Sequence, residues 1–275
     1  MRASRGLIGS AFAFLASFYL TAPPSFAQDI PVPASTGFDH IVGAVAVAVP
    51  DYEGSDDQTF AVAPVGKWKY AKNRYFLLQG NKGFWNISNH NNFELGIKGV
   101  YRLGRDDDIE DSVVKLVHEV DSSFEIGAFT GWTETFDNNP RHRFNASLGV
   151  TQDISDGHDG YVIEASAVYW RPVARPLDIG FRGGLTYASD DYMSSYFGVT
   201  AADSVASGLP TFSAGSGFKD FSLSLMGVFH FSMNWHLGAG ISYKQLLSDA
   251  SDSPVVDTRG SESQWTAGLA LLYTW

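Results

Sequence analysis

Apolar and polar residues alternate one by one through most strand-length segments of this 275-residue chain. Residues 221–231 read FSLSLMGVFHF, in which Phe221, Leu223 and Leu225 are separated by serines. Residues 235–245, WHLGAGISYKQ, repeat the pattern. A period of two places such sets on opposite faces of a sheet. The chain is therefore predicted to be all-β, with one apolar face and one face of small and polar residues on each strand.

About twelve strands are predicted, with a range of roughly 10 to 14. They are placed near residues 40–50, 59–70, 73–80, 83–88, 92–104, 122–134, 142–152, 160–171, 176–189, 218–231, 234–247 and 264–275. Pro64 predicts a bulge in the second strand, because proline lacks a donor for the ladder. The pattern shows no domain boundary, so one domain is expected.

The first 27 residues have the pattern of a cleaved export signal. A basic start, MRASRG, precedes an apolar core, and Ser25 and Ala27 are small residues at the positions that a signal peptidase reads. The core is shorter than the roughly 20 residues of a spanning helix. We expect residues 1–27 to be a signal peptide and residues 28–275 to form the mature domain.

Composition narrows the functional classes further. The chain contains no cysteine, so disulfides do not stabilise it. Without Arg2 and Arg5 of the signal, 17 of the 19 basic residues remain against 30 acidic ones, a formal charge of −13. A nucleic-acid partner needs concentrated Lys and Arg and is therefore not expected.

Predicted loop lengths differ between the two ends of the sheet. If Trp275 ends in the periplasm, counting backward gives short inner turns at residues 71–73, 171–175 and 232–234. The same count gives the mostly long, acidic outer loops at residues 51–58, 106–121, 190–217 and 248–263. Outer-membrane barrels have this asymmetry.

The polar faces combine glycine with charges of both signs, which suits a narrow barrel interior. The inward charges are predicted to be Glu94, Lys98, Arg102, Glu125, Arg143, Glu164, Asp178, Arg182 and Lys244. The opposite faces carry aliphatic residues, with Trp and Tyr near strand ends at the headgroup level. An open sheet edge in hydrocarbon would leave backbone groups unpaired at a cost of several kcal/mol each. We therefore predict a closed antiparallel transmembrane β-barrel in a Gram-negative outer membrane.

The final strand has an apolar face that ends in Tyr273 and Trp275. This arrangement resembles the C-terminal signal read by the barrel-assembly machinery of Gram-negative bacteria. The assembly machinery, outer-membrane lipid and lipopolysaccharide are therefore expected partners.

Residues 42–70, VGAVAVAVPDYEGSDDQTFAVAPVGKWKY, resemble the start of the MltA-interacting protein family, also called the MipA/OmpV family. The recognisable core of this stretch comprises Pro50, Asp51, Tyr52, Glu53, Gly54, Ser55 and Asp56. GVYRLGRDDD at residues 99–108 resembles a later strand and turn of the family. The resemblance implies an outer-membrane barrel and a scaffold that joins a murein hydrolase to a peptidoglycan synthase. It implies no catalytic residue.

Two acidic stretches allow alternative interpretations. DYEGSDD at residues 51–57 and RDDDIED at residues 105–111 can form a rim that binds divalent cations bridging lipopolysaccharide phosphates, because hard cations favour carboxylate oxygens. Neither stretch has the spacing of a calcium loop, so solvated loop charge is the favoured interpretation.

The inward charges also allow two interpretations. They can line a pore and select ions, or they can pair across strands and plug the lumen, which satisfies buried charge. The plugged lumen is favoured, and a narrow pore for ions or small solutes is the alternative.

The histidines raise two further hypotheses. His230 and His236 are predicted to be inward cross-strand neighbours; two imidazoles can begin a metal site, but hydrogen-bonded lumen histidines are favoured. His142 on an apolar face, near Asn145 and Ser147, is the candidate base of a lipid hydrolase. No nucleotide or hydrolase motif supports an enzyme. The sequence therefore predicts a non-enzymatic scaffold or surface protein without a metal or cofactor.

Overall fold

The computed structural model describes residues 38–275 as twelve strands, several short helices and the connections between them. The predicted signal peptide, residues 1–27, lies outside the described residues. The strands are β1 (His40–Pro50), β2 (Gln58–Lys69), β3 (Tyr75–Gln79), β4 (Lys82–Asn86), β5 (Phe93–Arg102), β6 (Ser123–Thr135), β7 (Arg143–Asp153), β8 (Tyr161–Ala174), β9 (Leu177–Ala188), β10 (Gly217–His230), β11 (Trp235–Leu246) and β12 (Ser263–Thr274).

Each strand pairs antiparallel with its neighbours in sequence, and β1 pairs with β12 to close the barrel. The β1–β12 ladder runs from Ile41 opposite Thr274 to Ala48 opposite Ala267. Closure gives both edges of the sheet a partner, as a sheet in hydrocarbon requires. The prediction of a closed twelve-stranded barrel is confirmed.

The outer surface of the barrel carries the apolar residues that the alternation assigned to lipid. On β12, Leu269 is 62 % exposed and Leu271 is half exposed, whereas Ala270 and Leu272 between and beside them are buried. Trp132, Trp235 and Trp265 are likewise exposed on the outside. This surface has the apolar band and aromatic residues of a protein in the outer membrane.

One part of the inner wall differs from the predicted polar lumen. An aliphatic cluster lines it on β1, β2 and β12, and its members are Ile41, Val45, Val47, Val49, Ala61, Ala63, Val65, Ala270 and Leu272. From residue 44 to residue 49 of β1 the alternation is one of size rather than polarity, because alanines face lipid and valines face inward. Most of the charged lumen residues lie on β4 to β11, and Lys67 of β2 is a further one.

The predicted bulge at Pro64 is wrong, because the β1–β2 register is continuous from His40 opposite Trp68 to Pro50 opposite Gln58. The Pro64 carbonyl accepts a hydrogen bond of 2.9 Å from the Gly80 amide, just beyond the end of β3. In an antiparallel ladder the N–H and C=O of one residue point to the same side. The N–H that proline lacks would therefore point to a position beyond the end of β3, and the β2–β3 ladder loses no hydrogen bond.

Helices cover the end of the barrel where the long loops lie. Between β9 and β10 are α1 (Asp190–Phe197) and α2 (Ala201–Ser207), and between β11 and β12 are α3 (Ser248–Asp252) and α4 (Pro254–Asp257). Ser189 caps α1 by accepting from the Tyr192 amide, and α2 begins with a reciprocal capping box of Thr200 and Asp203. We call residues 190–207 and 248–257 the outer plug.

The plug packs through one apolar cluster. Tyr192, Met193, Tyr196 and Phe197 of α1 contact Ala250 and Val256 of the second helical segment, together with Val162, Ala188 and Leu246 near the strand ends. The opposite end of the barrel has only short turns, which identifies it as the periplasmic end. No helix within residues 38–275 combines the length and apolarity needed to cross a membrane.

The depth of a residue on the lipid-facing surface predicts the effect of placing a charge there. Leu269→Arg puts a guanidinium near the middle of β12 and should destabilise the folded barrel by about 2–4 kcal/mol, whereas Phe231→Arg at a strand end should cost about 0–1 kcal/mol. Denaturant unfolding of the proteins in phospholipid vesicles measures both values. Equal losses for the two variants would contradict the assignment of this face to lipid.

Candidate functional site: the barrel lumen

The outer end of the lumen contains a group of buried ionic side chains that we call the outer ion cluster. Its members are Glu53, Arg102, Glu125, His158 and Lys219, and none is more than 4 % exposed. They come from parts of the chain that are separate in sequence and meet inside the lumen: the turn after β1, strands β5 and β6, the turn after β7, and β10. Charges this deeply buried require partners, and the cluster supplies them.

Glu53 is held by lysines from two neighbouring strands. Its Oε1 forms an ion pair with Lys219 Nζ and lies 3.7 Å from Lys244 Nζ. Its Oε2 accepts a 2.8 Å hydrogen bond from the Tyr192 hydroxyl of the outer plug. Burial acts to raise the pKa of Glu53, but the two ammonium charges outweigh it and hold the pKa at about 2. Glu53 therefore links the turn after β1 to the wall and to the plug.

The backbone beside Glu53 explains how a turn residue enters the lumen. Gly54 has φ of +105°, a conformation that glycine adopts without strain. A Cβ built on Gly54 would lie 2.5 Å from Val256 Cγ2 of α4. Only glycine allows the turn to approach the plug this closely.

Arg102 and Glu125 form the second ion pair of the cluster. Arg102 donates from Nε to Glu125 Oε1 and from Nη2 to Oε2, the latter at 3.2 Å. Thr151 Oγ1 donates to Glu125 Oε2 at 2.6 Å, and His158 Nε2 lies 3.1 Å from Oε1. The two-point contact fixes both the position and the plane of the guanidinium.

Aromatic residues of α1 cover the cluster. The Tyr192 ring centre lies 5.1 Å from Arg102 Cζ and 5.5 Å from Lys219 Nζ, within the range of cation–π contacts. Tyr196 stacks on Tyr192 with ring centres 4.5 Å apart. Burial raises the pKa of both phenols, which stay protonated hydrogen-bond donors. Plug and cluster thus form one packed unit at the outer end.

A smaller group of charges lies deeper in the lumen. Glu164 forms ion pairs with Lys82, at 2.5 Å, and with Lys98. A Cβ on Gly149 would lie only 3.3 Å from Lys98 Cδ, so the glycine leaves the lysine room to cross the lumen. This triad lies between the outer ion cluster and the periplasmic half of the barrel.

The periplasmic half contains a cavity of about 430 Å³ that we call the inner chamber. Residues of the short turns, Asn73, Asn91 and Pro140, line it at the periplasmic end. Glu94, Arg143, Arg182 and the Lys82–Lys98–Glu164 triad are among the residues that line its walls. Thr133 Oγ1 donates to Glu94 Oε1 at 3.3 Å. Volumes of this size are typical of small-molecule sites.

The predicted lumen residues all occur on the inner side of the wall, but in separate groups. Arg102 and Glu125 belong to the outer ion cluster, and Lys244 contacts it. Lys98 and Glu164 belong to the triad, and Glu94, Arg143 and Arg182 line the inner chamber. Asp178 belongs to a fourth group near the periplasm, where Arg141 binds both its oxygens at 2.6–3.0 Å.

The paired histidines lie beside Asp178. His230 and His236 are directly opposite in the β10–β11 ladder, and their Nδ1 atoms are 2.8 Å apart. His230 Nε2 contacts Asp178 Oδ2 at 2.9 Å, and His236 Nε2 contacts Thr274 Oγ1 at 3.0 Å. All four ring nitrogens therefore have polar contacts, and no group of three or more metal-ligating side chains occurs within residues 38–275.

His142 lies apart from the two residues considered with it. Its Nδ1 contacts Asp137 Oδ2 at 2.9 Å and its Nε2 contacts the Tyr169 hydroxyl at 2.8 Å. The Ser147 hydroxyl instead bonds to Ser166, and the Asn145 amide to Thr133 Oγ1. The structure therefore does not bring Ser147 to His142.

The acidic motif is also largely buried. Asp51, Tyr52, Glu53 and Ser55 are at most 5 % exposed, and Asp51 Oδ2 accepts from the Glu110 amide at 2.7 Å. Burial raises the pKa of Asp51. Asp111 in the second acidic stretch pairs with Arg259 at 2.6 Å. The interpretation as solvated loop charge is therefore wrong for Asp51 and Glu53, because the turn folds inward.

Lys219 is the main residue that sequence alternation missed. The pattern from residue 221 onward assigns it to the lipid face, but a bulge between Phe218 and Asp220 turns both Lys219 and Asp220 inward. A bulge changes the parity of the residues before it. The signal was present, because a lysine on a predicted lipid face is costly and indicates a local change of register.

At the C-terminus, Tyr273 and Trp275 lie in an aromatic group on the periplasmic side. The Tyr273 ring centre is 5.0 Å from that of Trp235, and Trp275 stacks on His40 at 5.4 Å. These contacts join the last strand to β11 and to the start of β1.

Comparisons with known proteins agree with this architecture. Outer membrane protein OmpV of Vibrio cholerae is 32 % identical over 90 residues, which cover 33 % of this chain and 33 % of that protein. Outer membrane protein Omp26La of Vibrio anguillarum is 30 % identical over 129 residues, 44 % of this chain and 45 % of that protein. The chain thus matches between a third and a half of the length of these curated relatives.

Among solved structures, the COG4313 outer membrane channel from Pseudomonas putida F1 covers 90 % of this chain and 100 % of its own, with 10 % identity and a TM-score of 0.47. A similarity this low supports no conclusion about transport. The family model for "MltA-interacting protein MipA" matches residues 42–275, which include all twelve strands except the first two residues of β1. This chain is an outer-membrane β-barrel and belongs to the MltA-interacting protein MipA family.

Proposed function

We propose that the protein is a non-conducting, non-enzymatic barrel whose periplasmic end serves as a scaffold for peptidoglycan-processing enzymes. The outer ion cluster under the plug carries the first part of this proposal. Opening a path through it requires separating Glu53 from Lys219 and Arg102 from Glu125, all of which are buried. Leaving a buried charge without its partner costs about 3–5 kcal/mol, so the closed state is strongly favoured.

The family description supports the second part. It refers to interaction with MltA, a murein hydrolase, and the peptidoglycan that such enzymes process lies on the periplasmic side. The short turns offer exposed side chains there, and Met233 between β10 and β11 is 90 % exposed. A peptidoglycan synthase is the second partner of the proposed scaffold. A narrow pore is the runner-up, and the inner chamber is the observation that favours it.

A lipid hydrolase is the least supported function. His142 is hydrogen-bonded to both Asp137 and the Tyr169 hydroxyl. The serine considered as a nucleophile, Ser147, instead faces the lumen and bonds to Ser166. An acyl-transfer site also needs a nucleophile within hydrogen-bond reach of its base. A phenol held by His142 is better explained as part of the aromatic contacts among Phe136, His142 and Tyr169.

Conductance tests the closed lumen. In planar bilayers the wild-type protein should give no steady current, and Tyr192→Ala, which removes the ring over the cluster, should give intermittent openings. Val205→Ala serves as the matched control, because Val205 lies on the same plug but is 89 % exposed. Steady wild-type channels whose ion selectivity changes in Glu94→Gln or Arg102→Gln would contradict the proposal and establish the pore.

The pH dependence of the closed state follows from Glu53. Its pKa is lowered from 4.5 to about 2, so the stabilisation is fully present above about pH 4.5 and is lost as the pH falls through about 2. The wild-type barrel should therefore be equally silent at pH 5 and pH 8. Channels that open between these pH values would show that another group controls closure.

Site-specific crosslinking tests the scaffold. A photoreactive residue at position 233, in a periplasmic turn, should capture a lytic transglycosylase or a peptidoglycan synthase in intact cells. The same residue at position 205 is equally exposed at the opposite end of the barrel and should capture neither enzyme. Failure to identify either enzyme at position 233, or equal capture at both positions, would count against the scaffold.

A lipase assay tests the absence of catalysis. Purified wild-type protein in mixed micelles should release no fatty acid from phospholipid above the level of the His142→Ala variant. Activity that disappears in His142→Ala while the barrel remains folded would establish a hydrolase instead.

A further inference from the structure

The inner chamber has a charge that is opposite in sign to that of the chain. The chain carries a formal charge of −11, yet five cations and two carboxylates line the chamber, a formal excess of three positive charges. The cations are Lys67, Lys82, Lys98, Arg143 and Arg182, and the carboxylates are Glu94 and Glu164. A cavity lined by one sign of charge concentrates solutes of the other sign.

Arg143 is the lining residue best placed to contact an anionic ligand. Its side chain is buried, and its Nη1 donates to the Pro140 carbonyl at 2.7 Å. Its Nη2 has no hydrogen-bond partner within residues 38–275. The guanidinium lies 5.7 Å from the Trp170 ring centre, and Asp178 and Glu94 are the carboxylates near enough to act on its charge. A buried cation in this state is stabilised by a ligand that brings a carboxylate or a phosphate.

The remaining lining indicates what the anionic group is attached to. Neutral hydrogen-bonding side chains, including Asn73, Asn91 and Ser147, surround the cavity. The rings of Tyr75 and Phe84 also line it, with Lys67 Nζ over the first and Lys98 Nζ over the second. Amides and hydroxyls pair with hydroxyl groups in both donor and acceptor roles. Aromatic rings and neutral polar groups in the lining suit a pyranose better than they suit a free inorganic ion. The volume of about 430 Å³ limits the ligand to small-molecule size.

The position of the chamber decides how such a ligand enters. The outer ion cluster and plug close the lumen on the extracellular side, and residues of the periplasmic turns line the other end. The chamber is therefore accessible from the periplasm.

We propose that the inner chamber is a binding site for a small anionic saccharide from the periplasm, with Arg143 as the main contact to its carboxylate or phosphate. Lys67, whose Nζ lies 5.0 Å from the Tyr75 ring centre, contributes a second positive charge to the chamber. This site does not depend on the scaffold role, and it requires no open path to the outside.

Isothermal titration calorimetry of the purified, folded barrel in detergent tests this site with four probes. Glucuronate carries a carboxylate and glucose-6-phosphate a phosphate, glucose is the neutral sugar, and inorganic phosphate is the anion without a ring. At least one of the two charged sugars should bind at least about tenfold more tightly than glucose and inorganic phosphate. The charged sugar that binds more tightly shows whether the site prefers a carboxylate or a phosphate.

Variants locate the binding to the chamber. Arg143→Gln should weaken binding of the charged sugar by at least about tenfold. Arg175→Gln makes the same charge change in an exposed turn at the same end, outside the chamber, and should leave binding unchanged. Lys67→Gln provides a second lining variant if Arg143→Gln does not fold, as judged by heat modifiability on gels, and it should also weaken binding.

Three results would overturn the proposal. The first is that neither charged sugar binds, and the second is that glucose or inorganic phosphate binds as tightly as the charged sugars. The third is that the folded lining variants bind like the wild type, or that Arg175→Gln weakens binding as much as they do.

Discussion

The need to pair every backbone hydrogen-bonding group inside hydrocarbon determines the rest of this structure. Residues 38–275 satisfy it by closing twelve antiparallel strands, with β1 hydrogen-bonded to β12. Closure then forces alternate side chains into a narrow interior. Apolar residues can face lipid without cost, so the inward positions must contain the charges, and those charges must find partners inside the barrel.

The buried charges are paired in different ways at different depths of the lumen. At the outer end, Glu53 and Glu125 each meet a cation and a plug or wall hydroxyl, and the tyrosines of α1 cover them. In the middle, Glu164 is shared by two lysines. At the periplasmic end the cations outnumber the carboxylates, and the lumen widens into the inner chamber. The same physical demand therefore yields an outer half filled by ion pairs and an inner half that contains a cavity.

Sequence alternation predicted the fold well because the side-chain period of two applies to every strand. It placed Glu94, Lys98 and Arg102 on one inward face without knowledge of their partners. It missed Lys219, since the bulge at Phe218 changes parity, and it placed Glu53 in a solvated loop, since the fold of a turn depends on distant contacts with Lys219 and Tyr192. The helices of the plug were likewise not predicted, because no strand pattern describes the segments that form it.

Single-tryptophan variants in vesicles of brominated phospholipid test most directly which side of the wall faces lipid. Trp265 is half exposed on the outer surface, whereas Trp170 is 2 % exposed and faces inward beside Arg143. The bromine atoms should strongly quench the fluorescence of Trp265 and leave that of Trp170 almost unchanged. Strong quenching of Trp170, or equal quenching of both residues, would contradict the assignment of the apolar faces to the acyl chains.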